Sequence, residues 1–298
     1  MQRFVPMLVA LGPAVLGAQQ AAGAELWRLA GVTVSVPAAL ARDGAAAFWN
    51  PAQEADGART LASLEAIQTP EIVGASGLLA SLRVQVKGVG RVGLLYGRMQ
   101  LGGLTRTSFG PDDNGGTIPF YTHTAGLTWT RSFGATTLGA TAGYHDTQLD
   151  NLHESHWTFD VGAARRINDV LRLAAATHFF TRFQTADNVQ DLYGAAELRV
   201  FQGPLWDSSA VATVRARYGV TVTRAGAVDH AFGAGIEFGP PLAVDALLVR
   251  EAGYGGAAWR VVGGLRVAVG HYRISFARDT GVNDIGAAYR VGLEARLR

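Results

Sequence analysis

The stretch IGAAYRVGLEARLR, residues 285–298, is readable only in steps of two. Ile285, Ala287, Tyr289, Val291, Leu293, Ala295 and Leu297 fall on one parity, and Arg290, Glu294, Arg296 and Arg298 on the other. Successive side chains of an extended chain point to opposite faces. The segment is therefore a strand with one apolar face and one charged face. A soluble sheet packing a core can alternate in this way once, so the decision rests on repetition.

The pattern recurs throughout. In 257–269, Trp259, Val261, Leu265, Val267 and Val269 oppose Arg260 and Arg266. In 210–222, Ala212, Val214, Ala216, Tyr218 and Val220 oppose Thr213, Arg215 and Arg217. In 156–165, Trp157, Phe159, Val161 and Ala163 oppose His156, Thr158 and Asp160; in 77–87, Leu78, Ala80, Leu82, Val84 and Val86 oppose Ser81, Arg83, Gln85 and Lys87. The segments run to about 9–15 residues, where soluble strands average about five or six. Long strands with dyad alternation are the sequence signature of an outer-membrane barrel. Dividing 58–298 on this basis gives about fourteen strands, an even number. Tight joins (KGVG, SFGAT, INDV, GPP, VGH) alternate with longer polar ones such as SFGPDDNGGTI, LDNLHES and EAGYGGA. Short periplasmic turns facing longer extracellular loops produce that alternation. The expected fold is an all-β transmembrane antiparallel barrel, whose closure removes exposed strand edges. A soluble sandwich or propeller would have to bury the arginines of the charged faces.

The beginning of the chain is different. MQRFVPMLVALGPAVLGAQQAAGA places Arg3 before an apolar run ending near Leu16, followed by small residues, which reads as a signal peptide over 1–24, cleaved after Ala18 or Ala24. The apolar run is shorter than the ~20 residues of a spanning helix. Export to the bacterial outer membrane as a multi-pass barrel is the expected localisation, with outer-membrane lipids as surroundings. The net charge is +2, and of 26 basic residues all but Lys87 are arginine, spread evenly along the chain. Without a clustered basic arm, no nucleic-acid partner is expected. The chain has no cysteine, which excludes disulfides and thiolate-bound metal.

One local motif remains. Asp43, Ala45, Ala46, Ala47, Phe48, Trp49, Asn50, Pro51 and Ala52 set two large aromatics against an Asn-Pro turn signal. This resembles the N-terminal segment of FadL-like and PorV/PorQ-type outer-membrane proteins, where alanines and an (F/W)NPA motif precede the first strand. The resemblance implies a fourteen-stranded barrel with residues 25–57 folded inside as a hatch, its motif being Phe48, Trp49, Asn50, Pro51 and Ala52. It also implies passive transport of hydrophobic or amphipathic small molecules gated by that hatch. The alternative it carries is a PorV-like part in protein secretion or surface attachment, with secreted-protein cargo as partner. An open diffusion porin and an outer-membrane enzyme are the remaining readings.

The charged parity supplies candidate lumen-lining residues: Arg83, Arg98, Arg172, Arg182, Arg199, Arg215, Arg217, Arg260, Arg266, Arg273, Arg290, Glu197, Asp245 and Glu294. They read either as a cationic interior for anionic solutes or, preferably, as an ion-pair lattice filling the barrel and holding the hatch. His123, His145, His153 and His156 accompany Asp146, Asp150 and Glu154, but match no metal or hydrolase spacing. No catalytic residue, metal or cofactor is expected, and the protein is read as not an enzyme.

Overall fold

A computed structural model describes residues 22–42, 46–53, 57–106, 116–178, 191–204, 211–223, 226–239, 241–253, 256–281 and 286–297. Two short helices, α1 (Ala22–Gly31) and α2 (Ala46–Trp49), with a 3₁₀ turn at Ala38–Leu40 between them, precede the strands. The strands are β1 (Thr60–Gln68), β2 (Ala75–Val86), β3 (Gly90–Leu101), β4 (Phe120–Phe133), β5 (Thr136–Leu149), β6 (Leu152–Arg166) and β7 (Leu171–His178). They continue with β8 (Asp191–Pro204), β9 (Val211–Thr223), β10 (Val228–Phe238), β11 (Leu242–Gly253), β12 (Gly256–Val269), β13 (Tyr272–Asp279) and β14 (Ala288–Leu297). Every strand pairs antiparallel with its sequence neighbours, and β1 closes on β14 from Thr60↔Leu297 to Gln68↔Tyr289. The result is a closed fourteen-stranded barrel.

The start of β1 and the end of β14 lie at one end, here the terminal end, together with the turns after β2, β4, β6, β10 and β12. The odd-numbered strands finish at the other end, the loop end. One expected long join is absent. LDNLHES collapses to a two-residue turn at Asp150 and Asn151, because Asp150 adopts φ 53° and lets β5 continue straight into β6. EAGYGGA shortens similarly, with β11 running to Gly253 and β12 starting at Gly256. The one register shift among the described residues, between Arg199 and Phe201, is a bulge in β8 at the terminal end.

The wall is inside out relative to a soluble barrel. Leu64, Leu82, Leu94, Leu127, Phe159, Val261, Ile274 and Leu293 are exposed on its outer face. Thr122, Thr124, Thr141, Asp160, Glu197, Arg217, Asp245 and Arg290 are buried on its inner face. Water on that outer face would forfeit about 25 cal/mol for each Å² of apolar surface; a bilayer removes the cost. Closure satisfies the backbone of the spanning strands without any edge. Tyr121, Trp129, Tyr144, Trp157, Tyr218, Trp259, Tyr272, Phe276 and Tyr289 all share the outward parity.

Candidate functional site

The interior is built from two sets of residues, the inward side chains of the strands and the described residues 26–42 and 46–53. Leu26, Trp27, Ala30, Val34, Leu40, Phe48 and Trp49 form one buried apolar cluster with Ile67, Leu79, Leu95 and Met99 from β1–β3 and Tyr193 from β8. Polar anchors fix the same stretch. Trp27 donates from Nε1 to Thr122 Oγ1 at 3.2 Å and meets His145 edge-on, with centroids 6.1 Å apart.

The carboxyl end of α1 is held by two wall arginines, as its exposed carbonyls favour. Arg290 of β14 donates to the Ala30 carbonyl, to Thr33 Oγ1 at 3.0 Å and to Glu65 Oε2 of β1 at 2.9 Å. Arg260 of β12 donates to the Val32 carbonyl at 2.8 Å and to Glu251 at 2.6 Å, with Asp279 at 3.4 Å.

The Asn-Pro motif forms a closed turn. Asn50 donates through Nδ2 to the Ala39 carbonyl at 2.8 Å, and its Oδ1 accepts from the Ala52 amide at 2.9 Å. An Asn side chain bonding its own backbone two residues on is the usual Asx turn. Gln53 also donates to Ala39 and accepts from Arg172, while Thr130 donates to the Pro51 carbonyl at 2.6 Å. Phe48 stacks on Trp27 with centroids 6.4 Å apart, and Trp49 lies 5.1 Å from the His178 ring and 5.9 Å from the Arg290 guanidinium.

Five inward-facing glycines make room for this chain. A Cβ at Gly97 would meet Trp27 and Phe48, one at Gly139 the Pro51 backbone, and one at Gly162 the Asn50 side chain. A Cβ at Gly219 would meet Pro37, and one at Gly264 would meet Ser35. All five positions are on the inward parity of long strands, where a missing side chain otherwise weakens packing. The parity pattern contains this signal, but a glycine carries no polarity that would mark its face.

Between Ser35 and Arg42 the chain crosses a layer of charge. Arg217 donates to Glu197 at 2.8 Å and to Asp245 at 2.5 Å; Arg266 reaches Asp245 at 2.9 Å; Arg215 reaches Glu237 at 3.1 Å and Glu197 at 3.5 Å. Arg42 joins this layer through Glu197. Burial lowers the Arg42 guanidinium to about 10, against the pull of Glu197, so it remains a cation at neutral pH. Arg273 and Arg296 share Glu294 nearer the terminal end, at 3.7 and 2.5 Å.

This layer separates two cavities. The loop-end cavity, about 370 Å³, is bounded by Trp27, Val32, Val34 and Trp49 from the inner chain, and by Tyr193, Leu247, Asp229 and Glu251 from the wall. The terminal-end cavity, about 680 Å³, is lined by Arg42, Arg166, Arg215, Arg266, Arg273 and Arg296. A small cavity of about 20 Å³ lies between them, bounded by Ser35, Val36, Leu40, Arg42, Glu197, Arg217, Asp245 and Arg266.

Of the residues read as lumen lining, Arg83, Arg172, Arg199, Arg215, Arg217, Arg260, Arg266, Arg273, Arg290, Glu197, Asp245 and Glu294 occupy the inward parity of their strands. Arg98 does not. It shares the outer face with Leu78 and Tyr96, and its guanidinium lies 4.8 Å over the Tyr121 ring. The cause is the inner chain: Leu95 and Met99 of β3 turn inward to pack on it, which sends the intervening Arg98 to the opposite face. Arg182 lies outside the described residues.

The four histidines are divided between faces. His145 and His156 stack inside the barrel with centroids 5.3 Å apart, whereas His123 and His153 face outward. Among the described residues no group of three His, Cys, Asp or Glu side chains can hold a metal ion.

No protein-family model and no curated protein matches the sequence, so the FadL-type resemblance of residues 43–52 is without support from either. Solved structures similar in barrel form include the outer-membrane protein Omp33 of Acinetobacter baumannii, at 8% identity and TM-score 0.46, over 80% of this chain and 98% of that one. CdiB from Acinetobacter baumannii aligns at 9% identity and TM-score 0.44, over 80% and 60% of the two chains. A mutant of the Rh. blastica porin aligns at 13% identity and TM-score 0.41, over 79% and 98%.

Proposed function

We propose that this protein is an outer-membrane channel for hydrophobic or amphipathic small molecules, gated by residues 25–57 acting as a hatch. The observation that carries the reading is the division of one lumen into two cavities by the Ser35–Arg42 strip. The loop-end cavity offers tryptophans and aliphatic side chains to an apolar portion, and the arginines beyond the strip receive a polar one. With the terminal end in the periplasm, as both termini of an even-stranded barrel require, the loop-end cavity is the outer entrance. Passage is downhill and uses displacement of the strip, which is held by side-chain contacts rather than by strand pairing.

Reconstitution into liposomes tests this, comparing the wild type with a deletion of residues 25–57. The expected outcome is slow uptake of a labelled fatty acid by wild-type vesicles and faster uptake with the deletion. Heat-modifiable migration verifies that each barrel is closed. Two closed barrels that both fail to speed uptake over protein-free vesicles would sink the transport reading. Equal rates would sink the gating.

A further inference from the structure

The outer face carries a charge pattern that the transport reading does not use. Arg98, Arg250 and Arg278 all face outward, within three residues of the loop-side ends of β3, β11 and β13. Among the described residues none of the three has a carboxylate partner, although Arg215, Arg217, Arg260, Arg266, Arg273, Arg290 and Arg296 on the inward side all do. A cation held on a lipid-facing wall is costly in hydrocarbon and is tolerated where it reaches the headgroups.

Two of these arginines belong to the same constellation, built twice. On β3–β4, Arg98 stands directly across from His123, whose Nδ1 lies 2.8 Å from the Tyr96 hydroxyl. On β9–β11, Arg250 stands directly across from His230, whose Nδ1 lies 2.8 Å from the Tyr218 hydroxyl. Directly opposite side chains are about 5 Å apart at Cβ, so imidazole and guanidinium address the same spot. When the tyrosine donates to Nδ1, the neutral imidazole carries its proton on Nε2. Nε2 of both histidines is without a partner among the described residues. Each constellation thus presents an N–H donor beside a fixed positive charge. The neighbouring acid at the first, Asp146 across from His123, is engaged by His153 at 2.5 Å. At the second, Trp259 lies across from Arg250 on the next strand. Tyrosine and tryptophan are the residues that settle at headgroup depth.

We propose that Tyr96–His123–Arg98 and Tyr218–His230–Arg250 are two binding sites for the phosphate headgroup of an anionic lipid in the leaflet at the loop end. The donor pair suits a phosphate oxygen and the arginine supplies the counter-charge, as basic pockets on membrane proteins do for anionic headgroups. The proposal needs the barrel to lie in a bilayer. It is independent of what passes through the lumen.

The test is native mass spectrometry of the full chain released from detergent micelles doped with phosphatidylglycerol or, as the zwitterionic arm, phosphatidylcholine. The expected result is retention of up to two phosphatidylglycerol molecules by the wild type and of one by Arg98→Gln or Arg250→Gln alone. The double variant should show retention weakened at least about tenfold, the scale of a lost hydrogen bond to a charged group. Heat-modifiable migration confirms that each variant is folded. Equal retention by wild type and a folded double variant overturns the proposal, as does equal retention of phosphatidylcholine. Inorganic phosphate at the lipid's concentration should not displace it; displacement would make these general anion sites and overturn the lipid assignment.

Discussion

Arg290 joins two parts of the chain that are remote from it in sequence: Ala30 and Thr33 at the end of α1, and Glu65 of β1. It is buried, so replacement by methionine takes from the Glu65 carboxylate the guanidinium that donates to it at 2.9 Å. Breaking a buried pair from one side costs about 3–5 kcal/mol, so Arg290→Met should lower the temperature at which the compact, fast-migrating form is lost. Arg290→Lys keeps the charge but not the planar fork and should fall between the two. Asn50 acts more locally. Asn50→Ala removes the bonds to Ala39 and Ala52, at about 1 kcal/mol each. It should expose the 46–53 turn to limited proteolysis while leaving the barrel's thermal transition in place. What sequence reading could reach at this scale depended on parity alone. Arg217, Asp245 and Glu197 could be assigned to the interior because their strands alternate cleanly. Arg98 could not, because apolar Leu95 and Met99 are inward only where the inner chain supplies an apolar partner, and that partner is invisible from within β3. Their pairing geometry was equally hidden, since it depends on register between strands.

At the scale of elements, most strands were legible because they reach or exceed the ~9–11 residues that span a bilayer and alternate along their length; β7 and β13, at eight residues each, rest on the pattern of their neighbours. The joins were less so. Polarity marked LDNLHES as a loop, but polar residues at a strand end are equally stable in the ladder once it rises above the lipid, and β6 begins at Leu152. The fit between barrel and inner chain rests on glycine. Gly139 and Gly162, on adjacent strands, leave the space occupied by Asn50 and Pro51. Valine at either position would collide with that turn while remaining a good strand residue. Overpacking of this kind costs about 1–3 kcal/mol, and here it falls on the inner chain rather than on the ladder. Gly139→Val with Gly162→Val should therefore leave strand-rich circular dichroism and barrel closure intact. It should also make residues 46–53 accessible to protease in detergent.

For the molecule as a whole, the proposed gating predicts that fixing the strip to the wall closes the path. Ser35 packs on Gly264 of β12, with Ser35 Cβ 2.5 Å from the position a Gly264 Cβ would take. A small retreat of the strip brings a Ser35→Cys, Gly264→Cys pair to the 3.5–4.5 Å that a disulfide requires. The chain has no other cysteine to compete. Oxidised vesicles should take up the labelled fatty acid more slowly than the same vesicles after reduction. Uptake that ignores the redox state would place the path elsewhere than past this strip. Barrel and even strand number were legible in the whole-chain pattern; the two cavities were not, because they depend on where an irregular segment rests. The grip of Arg290 has one more consequence, which concerns order of assembly. The first and last strands meet only when the circle is complete, and that seam carries the longest loop-closure entropy in the chain. Because the residue that binds Glu65 across the seam also binds Ala30 and Thr33, closing the seam and seating the amino-terminal segment stabilise each other. Closure of the cylinder and docking of its guest are therefore expected to reinforce one another during assembly, with neither an obligatory first step.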